Sequence, residues 1–254
     1  MRMLNKTDFI ASLAKGLSVL EAFRADRSRL SISDVAEATG LDRATARRCL
    51  LTLHETGYAD YDGKFFTLTP KVLRLGMGAL AALPLAQVVQ PWLDQLSEQI
   101  GQSASVAIRD DVEIVYLARA AQRRVMSIGL MPGSRLPVHC TSMGRVLLAA
   151  MPEAEAAALI ERCDLTPRTP RSLTAPQEIM ARVSEARVLG YAIIDQEVEL
   201  GLRSIAVPVY SSRGQVVAAL NVGLAAVQAS AEELPGLFLQ PLLKVQEGLR
   251  RVIR

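Results

Sequence analysis

The sequence predicts an α+β protein in two parts, an N-terminal winged helix-turn-helix domain and a larger C-terminal α/β domain, joined by a linker helix. Three observations predict it. Over residues 33–68 the chain runs SDVAEATG, LDRATARRCLLTLHETG, YADYDGKFFTL, two short helical segments across a tight turn and then a basic hairpin. The excess positive charge is confined to that end: residues 1–80 carry 12 Lys/Arg against 9 Asp/Glu, whereas residues 81–254 carry 17 of each. Beyond Leu85, helical and strand-like patterns alternate irregularly, which is an α+β signature.

Taken in order, Leu13, Leu17, Leu20 and Phe23 recur at helical spacing over 12–24. Ser33 is read as the N-cap of the next helix, with Asp34 and Glu37 favourable near its positive end. Gly40 suits the left-handed position that ends that helix. Asp42 caps a third helix that runs to about Thr56 and stops at Gly57. Asp62-Gly63, between β-prone segments, signals a hairpin, and Pro70 closes a first domain of residues 1–70. Residues 71–84 are the linker, a helix carrying Gly76 and Gly78 and ended by Pro84. The second domain, 85–254, opens with Leu85, Val88, Val89, Trp92, Leu93, Leu96 and Ile100 on one helical stripe. Strands SASVAIR and VEIVYLA follow, turning at Asp110-Asp111, then a loop-rich stretch to Pro137 and a buried helix at SMGRVLLAAM. A helix at 153–162 precedes another that Thr174-x-x-Gln177 opens as a capping box and Gly190 ends. Strands at about 191–195, 204–210 and 216–222, the last two joined by the Ser212-Arg213-Gly214 turn, lead to a final helix near 236–252.

Half of the 254 residues are apolar, enough to bury a sizeable core. Three scattered cysteines, Cys49, Cys140 and Cys163, form no disulfide framework and suit a reducing cytoplasm. The start has no apolar run of signal-peptide type, and no stretch approaches the roughly 18 apolar residues of a membrane span, so a soluble cytoplasmic protein without membrane contact is expected. His139-Cys140 is not a nucleophile and base, because neighbours in an extended segment point to opposite faces. Neither His54 nor Cys163 has a ligand partner at useful spacing. No catalytic residue, metal or cofactor is expected, and the chain is not read as an enzyme.

On the third helix Ala46, Cys49, Leu50 and Leu53 face the core of the small domain. Ala44, Arg47 and Arg48 lie on or near the other side, with Arg43 and Thr45 at the N-terminal edge. Guanidinium forks pair with guanine edges or phosphates, and short Ala or Thr side chains let the helix approach closely. Lys64 at the hairpin tip suits the flanking backbone. Ser33, Arg43, Ala44, Thr45, Arg47, Arg48 and Lys64 are therefore the candidate contacts to double-stranded operator DNA. One such helix reads few bases, so a homodimer on a two-fold site is expected, with the linker helix as its contact.

The run SLAKGLSVLEAF…LSISDVAEATGLDRATARRCLLTLHETGYADYDGKFFTLTPKVLRLG resembles the IclR family of bacterial transcription regulators. LPVHCTSMGRVLLAAMP, LGYAIIDQEVELGLRSIAVPV and GQVVAALNVG extend the resemblance from about residue 12 to 223. RRVMSIGLMPGSRLPVHCTSMGRVLLA and LRSIAVPVYSSRGQVVAALNV are closest to its PcaR/PcaU/PobR branch, regulators of β-ketoadipate, protocatechuate and 4-hydroxybenzoate catabolism. The resemblance implies a GAF-like C-terminal domain that binds a small organic-acid effector, an aromatic acid or a β-ketoadipate-like one, and a dimer or a dimer of dimers. It also implies a pocket built from Ser142, Met143, Asp195, Glu199, Leu202, Ser204, Asn221 and Gly223.

The residue chemistry fits that pocket in part. A helix start at Ser142 favours an anion, Ser204 and Asn221 offer neutral polar groups, and Met143 and Leu202 offer apolar wall. Ser142 is equally readable as a plain N-cap, Asn221 as a turn-side residue, and Asp195, Glu197 and Glu199 as a solvated acidic loop. Carboxylates repel an organic acid, and Arg203 either compensates them or lies on the surface. Rival functions are an IclR-type regulator of another carbon source, an enzyme or redox switch whose winged helix serves only protein contacts, a thiol-based redox-responsive DNA-binding protein and an architectural DNA-binding protein without a ligand.

Overall fold

The computed structural model describes residues 9–24, 27–76, 84–122 and 129–253, and the chain divides into two units, 1–82 and 83–254. The first unit contains α1 (Ala11–Glu21), β1 (Arg29–Leu30), α2 (Ile32–Thr39), α3 (Arg43–Glu55), β2 (Ala59–Tyr61) and β3 (Phe66–Leu68), then a single 3-10 turn at Pro70–Val72. The three strands pair antiparallel in the order β1-β3-β2, so the hairpin is the wing and β1 its third strand. Val19, Leu30, Val35, Ala46, Leu50, Leu53, Ala59 and Phe66 meet in one core.

Two local expectations change. Ser31, not Ser33, caps α2: its hydroxyl accepts from the Asp34 amide at 3.3 Å while the Asp34 carboxylate accepts from the Ser31 amide at 2.7 Å. This reciprocal box needs an acceptor three residues before an acidic one, a spacing to Asp34 that Ser31 has and Ser33 lacks. Ser33 is left on an exposed turn of α2. On α1, Leu13 and Leu17 stand out at 59% and 48% exposure, and Val19 supplies the buried contact, with Leu20 and Phe23 half-buried beside it. Gly40 and Gly57 both take the left-handed backbone that ends α2 and follows α3, with φ of +67° and +76°. Of the linker helix expected over 71–84, residues 77–83 lie outside the described residues; the 3-10 turn at Pro70–Val72 is followed by helical positions 73–76.

In the second unit come α4 (Pro84–Ile100), β4 (Ser103–Asp110), β5 (Glu113–Ala120), β6 (Arg135–Pro137), α5 (Ser142–Ala149), α6 (Glu153–Ile160) and α7 (Pro176–Leu189). They are followed by β7 (Ala192–Asp195), β8 (Leu202–Tyr210), β9 (Val216–Ala225), a π turn at Pro235–Leu239 and α8 (Gln240–Val252). The six strands form one antiparallel sheet, ordered β6-β5-β4-β9-β8-β7. One face carries Val106, Ile205, Val207, Leu220 and Val222 against Val89, Leu93 and Leu96 of α4 and Leu242, Val245 and Leu249 of α8. The other carries Ala107, Ile114, Tyr116, Ala206 and Ala219 against Met143 and Leu148 of α5, Ile160 of α6, and Ile179 and Val183 of α7. A sheet covered on both faces explains the near-continuous apolar runs of β8 and β9.

Here too the details correct the sequence reading. Pro176, fixed at a helical φ, starts α7 behind Ala175, and no side chain caps it, so Thr174-x-x-Gln177 is not a capping box. The stretch to Pro137 ends in the short strand β6. No helix among the described residues is long and apolar enough to cross a membrane.

Candidate functional site

The surface of α3 is set by its cap. The Asp42 carboxylate accepts from the Thr45 amide at 2.9 Å, and hydrogen bonding to Thr45 holds its pKa below the usual carboxylate value. From this start Ala46, Leu50 and Leu53 are buried, while Arg43, Ala44, Arg47 and Arg48 line up on the remaining faces, Arg43, Arg47 and Arg48 exposed to solvent. Arg43 and Arg47 have no carboxylate partner among the described residues. Thr45 is only 6% exposed, and its hydroxyl accepts from Arg48 Nη2 at 3.3 Å, so it braces an arginine rather than standing at the outer edge.

The wing is equally built. Asp62 accepts from the amides of Lys64 (2.9 Å) and Phe65 (2.8 Å) and pairs with Arg29. Those amides and the guanidinium hold its carboxyl far below the usual range. Lys64 extends over the Phe65 ring, its Nζ 5.0 Å from the centroid, at the exposed tip. Gly63, with φ of +100°, makes the turn possible.

In the second unit a pocket opens on the sheet face that α5 covers. It is lined by Tyr116, Arg119, Leu130, Leu136, Thr141, Ser142, Met143, Val198, Leu202, Ser204, Asn221 and Gly223. Six of the eight expected ligand residues are here: Ser142, Met143, Leu202, Ser204, Asn221 and Gly223. Strand register explains the floor. Arg119, Ser105, Asn221 and Ala206 stand opposite one another across β5, β4, β9 and β8, and Ser103, Gly223 and Ser204 form the next row.

Arg119 and Tyr116 are lining residues that the sequence reading misses, and strict alternation explains why. Residues three apart on a strand face opposite ways, but a register shift leaves Leu117 unpaired, so Tyr116 meets Ala107 and Arg119 meets Ser105 on one face. A lone arginine inside the apolar run EIVYLARA is the one signal the sequence offers. Arg119 Nη1 donates to Ser105 Oγ at 3.0 Å, and among the described residues it has no carboxylate partner. Desolvation lowers its pKa, the mark of a cation short of counter-charge.

At the other wall Thr141, rather than Ser142, caps α5: its Oγ1 accepts from the Gly144 amide at 3.1 Å and donates to the Pro137 carbonyl at 3.0 Å. Ser142 is thereby free to bridge to β8, its Oγ 2.8 Å from Ser204 Oγ. The Ser142 and Met143 amides make no hydrogen bond among the described residues, as expected at a helix start. Asn221 is 8% exposed, and its Oδ1 is buried without a hydrogen-bond partner.

Asp195 and Glu199 do not line the pocket. Asp195 pairs with Arg203 and Arg171, at 2.5 Å each, and Arg203 also donates to the Ala229 carbonyl at 2.7 Å. Arg203 thus compensates Asp195 outside the pocket. Glu197 is buried, not solvated, and pairs with Arg145. Burial pushes the Cys140 thiol up to about 12 and that of Cys163 to about 11, the opposite of a reactive thiol.

Known proteins match the chain along the same division. The IclR helix-turn-helix domain matches residues 12–63, and the C-terminal domain of the bacterial transcriptional regulator IclR matches residues 77–248. The chain is 44% identical over 243 residues to the Pca regulon regulatory protein of Pseudomonas putida, covering 95% of this chain and 84% of that one. It is 40% identical over 219 residues to the p-hydroxybenzoate hydroxylase transcriptional activator of Acinetobacter baylyi, covering 84% and 81%. An IclR homologue from Microbacterium hydrocarbonoxydans, solved in complex with 4-hydroxybenzoate, aligns with a TM-score of 0.73 at 26% identity, covering 95% of this chain and all of that one.

Proposed function

The chain belongs to the IclR family of bacterial transcriptional regulators, and from that premise we propose that its pocket takes an aromatic acid of the hydroxybenzoate type. The bound acid controls how the winged helix engages an operator in a gene set for aromatic catabolism. The observation that carries this reading is Arg119, a desolvated guanidinium in the pocket wall with no carboxylate partner among the described residues. A carboxylate is its natural complement. The open α5 amides of Ser142 and Met143 add positive potential. Leu130, Leu136, Met143, Val198 and Leu202 suit a ring, and a phenolic hydroxyl donating to Asn221 Oδ1 satisfies that buried acceptor.

On the DNA side Arg43, Arg47 and Arg48 read or clamp the major groove, with Ala44 allowing approach, Thr45 bracing Arg48, Lys64 on the neighbouring backbone and Ser33 at the rim. The working unit is a homodimer or a dimer of dimers in the cytoplasm, and the exposed Leu13 and Leu17 offer apolar surface to a second copy. The protein turns over no substrate, and the raised pKa values of Cys140 and Cys163 argue against a redox switch at either thiol.

The test is a thermal-shift panel over 4-hydroxybenzoate, protocatechuate, benzoate and β-ketoadipate, followed by operator mobility shifts with and without the acid. A ligand of the folded state raises the melting temperature. Hydroxylated aromatic acids should do so selectively; a response to β-ketoadipate alone would redirect the reading to the dicarboxylate arm of the pathway, and no response to any acid would refute it.

A further inference from the structure

Next to pocket-lining residues lies a buried ion pair whose two members, Arg145 and Glu197, are not themselves part of the lining. Arg145, on α5, is 2% exposed; its Nη2 is 2.6 Å from Glu197 Oε2, and its Nε donates to the His139 carbonyl at 3.1 Å. Glu197 sits on the 196–201 loop between β7 and β8. That loop is held at its other side as well: Ser172 Oγ donates to the Glu197 carbonyl and Thr169 Oγ1 to the Gln196 carbonyl, both at 2.7 Å. Gln196 itself takes a left-handed φ of +63°, a conformation that surrounding contacts must enforce in a non-glycine residue.

A buried pair of this kind is poorly explained by stability, since desolvating two charges offsets most of their attraction and well-packed apolar replacements are often as stable. What the pair does supply is a fixed length. Its two ends lie on two segments that both contribute to the pocket lining: α5 contributes Ser142 and Met143, and the stretch around Glu197 contributes Val198 and Leu202. Glu197 and Val198 are neighbours in the loop, the first turned to Arg145 and the second to the cavity. Nearby, His139 stays uncharged, because burial and the adjacent Arg145 press its pKa down to about 4, so no second cation competes for the carboxylate near neutral pH.

We propose that Arg145 and Glu197 are positioning residues, a strut that sets the spacing between the α5 wall and the Val198–Leu202 wall and thereby the affinity and size selectivity of the effector pocket. The proposal rests on the effector reading given above. Neither residue touches the ligand; each acts through the wall it holds.

The experiment compares the full-length wild type with Arg145→Met/Glu197→Met and with Glu197→Gln, which keeps the shape and an acceptor but removes the charge. Circular dichroism and melting report folding. Calorimetry with 4-hydroxybenzoate and with its bulkier 3-methoxy derivative reports the pocket, and hydrogen exchange of the 197–202 amides reports the wall without any ligand. The folded double variant should bind 4-hydroxybenzoate about tenfold more weakly or worse, lose preference over the methoxy acid, and exchange faster at 197–202 but not in the centre of β8. A folded variant with wild-type affinity, preference and exchange overturns the strut. If the double variant does not fold, Glu197→Gln is read by the same three measurements: weaker binding, lost preference and faster exchange support the strut, and wild-type values overturn it. If the wild type binds neither acid, the effector reading fails on its own, and the exchange comparison still decides whether the pair holds the wall.

Discussion

Both α3 and α5 start from a side chain that accepts an amide three residues on, Asp42 from Thr45 and Thr141 from Gly144, yet the two helices meet opposite surroundings. α3 buries one stripe and offers Arg43, Arg47 and Arg48 to solvent. α5 is buried from Ser142 through Leu148, and its one arginine is paired inside the protein. The difference separates two uses of the same residue type. An exposed guanidinium without a carboxylate partner stays available to a polyanion, and its loss leaves the fold untouched. A buried one is part of the structure, and removing it alone strands Glu197.

The sharpest test of the open side is Arg47→Ala/Arg48→Ala. Each bidentate base contact is worth about 1–3 kcal/mol, so operator affinity should fall by about a hundredfold or more in a mobility shift, with melting unchanged. Unaltered affinity would mean that α3 is not the reading helix. The closed side breaks differently. A Cβ on Gly144 would stand 2.1 Å from the Val138 carbonyl oxygen and 2.6 Å from Thr141 Oγ1, and backbone cannot move aside as a flexible side chain can. Gly144→Ala should therefore cost about 3 kcal/mol of stability by chemical denaturation and impair effector binding, since it unseats the helix start that lines the pocket. A near-neutral result would show that α5 is less tightly docked than its burial implies.

How far each half is legible in the sequence follows from the same contrast. The faces of α3, its Asp42 cap and the Asp62-Gly63 wing can be read because each depends on residues within four positions of one another. Ser31 and Ser33 compete for the α2 cap because both stand shortly before Asp34, and only the three-residue spacing decides between them. In the pocket lining, Ser142, Met143, Leu202, Ser204, Asn221 and Gly223 are reached through family resemblance. Asp195 and Glu199 fall outside the pocket lining because ion pairing of Asp195 to Arg203 and Arg171 and the course of the 196–201 loop are long-range outcomes. Arg119 depends on a single unpaired residue in β5, which shifts everything after it to the other face. Arg119→Ala sharpens this point. With the cation gone, affinity for 4-hydroxybenzoate should drop by about tenfold to a hundredfold in calorimetry, while operator binding without acid is retained. Equal affinity would move the carboxylate to the α5 amides.

The smallest expected effect concerns acid, which should reach the two units in different windows. In the second unit His139 is buried with Nδ1 unpartnered, and its pKa is pressed down to about 4 from the ordinary 6.5, chiefly by burial and then by Arg145. Between those values the unfolded chain binds a proton that the folded one refuses, so His139 draws this unit's stability down as pH drops from about 6.5 toward 4 and levels off below, against the opposite contribution of Glu197, whose carboxyl burial raises above its ordinary value. In the first unit the caps Asp34 and Asp42 are held below the ordinary 3.8, mainly by the hydrogen bonds to Ser31 and Thr45. Their contribution persists down to about pH 4 and is lost only as pH falls through those lowered values. Hydrogen exchange or calorimetric melting between pH 7.5 and 4 should thus show the α5 region weakening while α2 and α3 hold. His139→Gln, which cannot titrate, should flatten the α5 trend and leave the caps alone. A wild type in which both regions weaken together, or a variant that keeps the slope, would place the acid-sensitive group elsewhere.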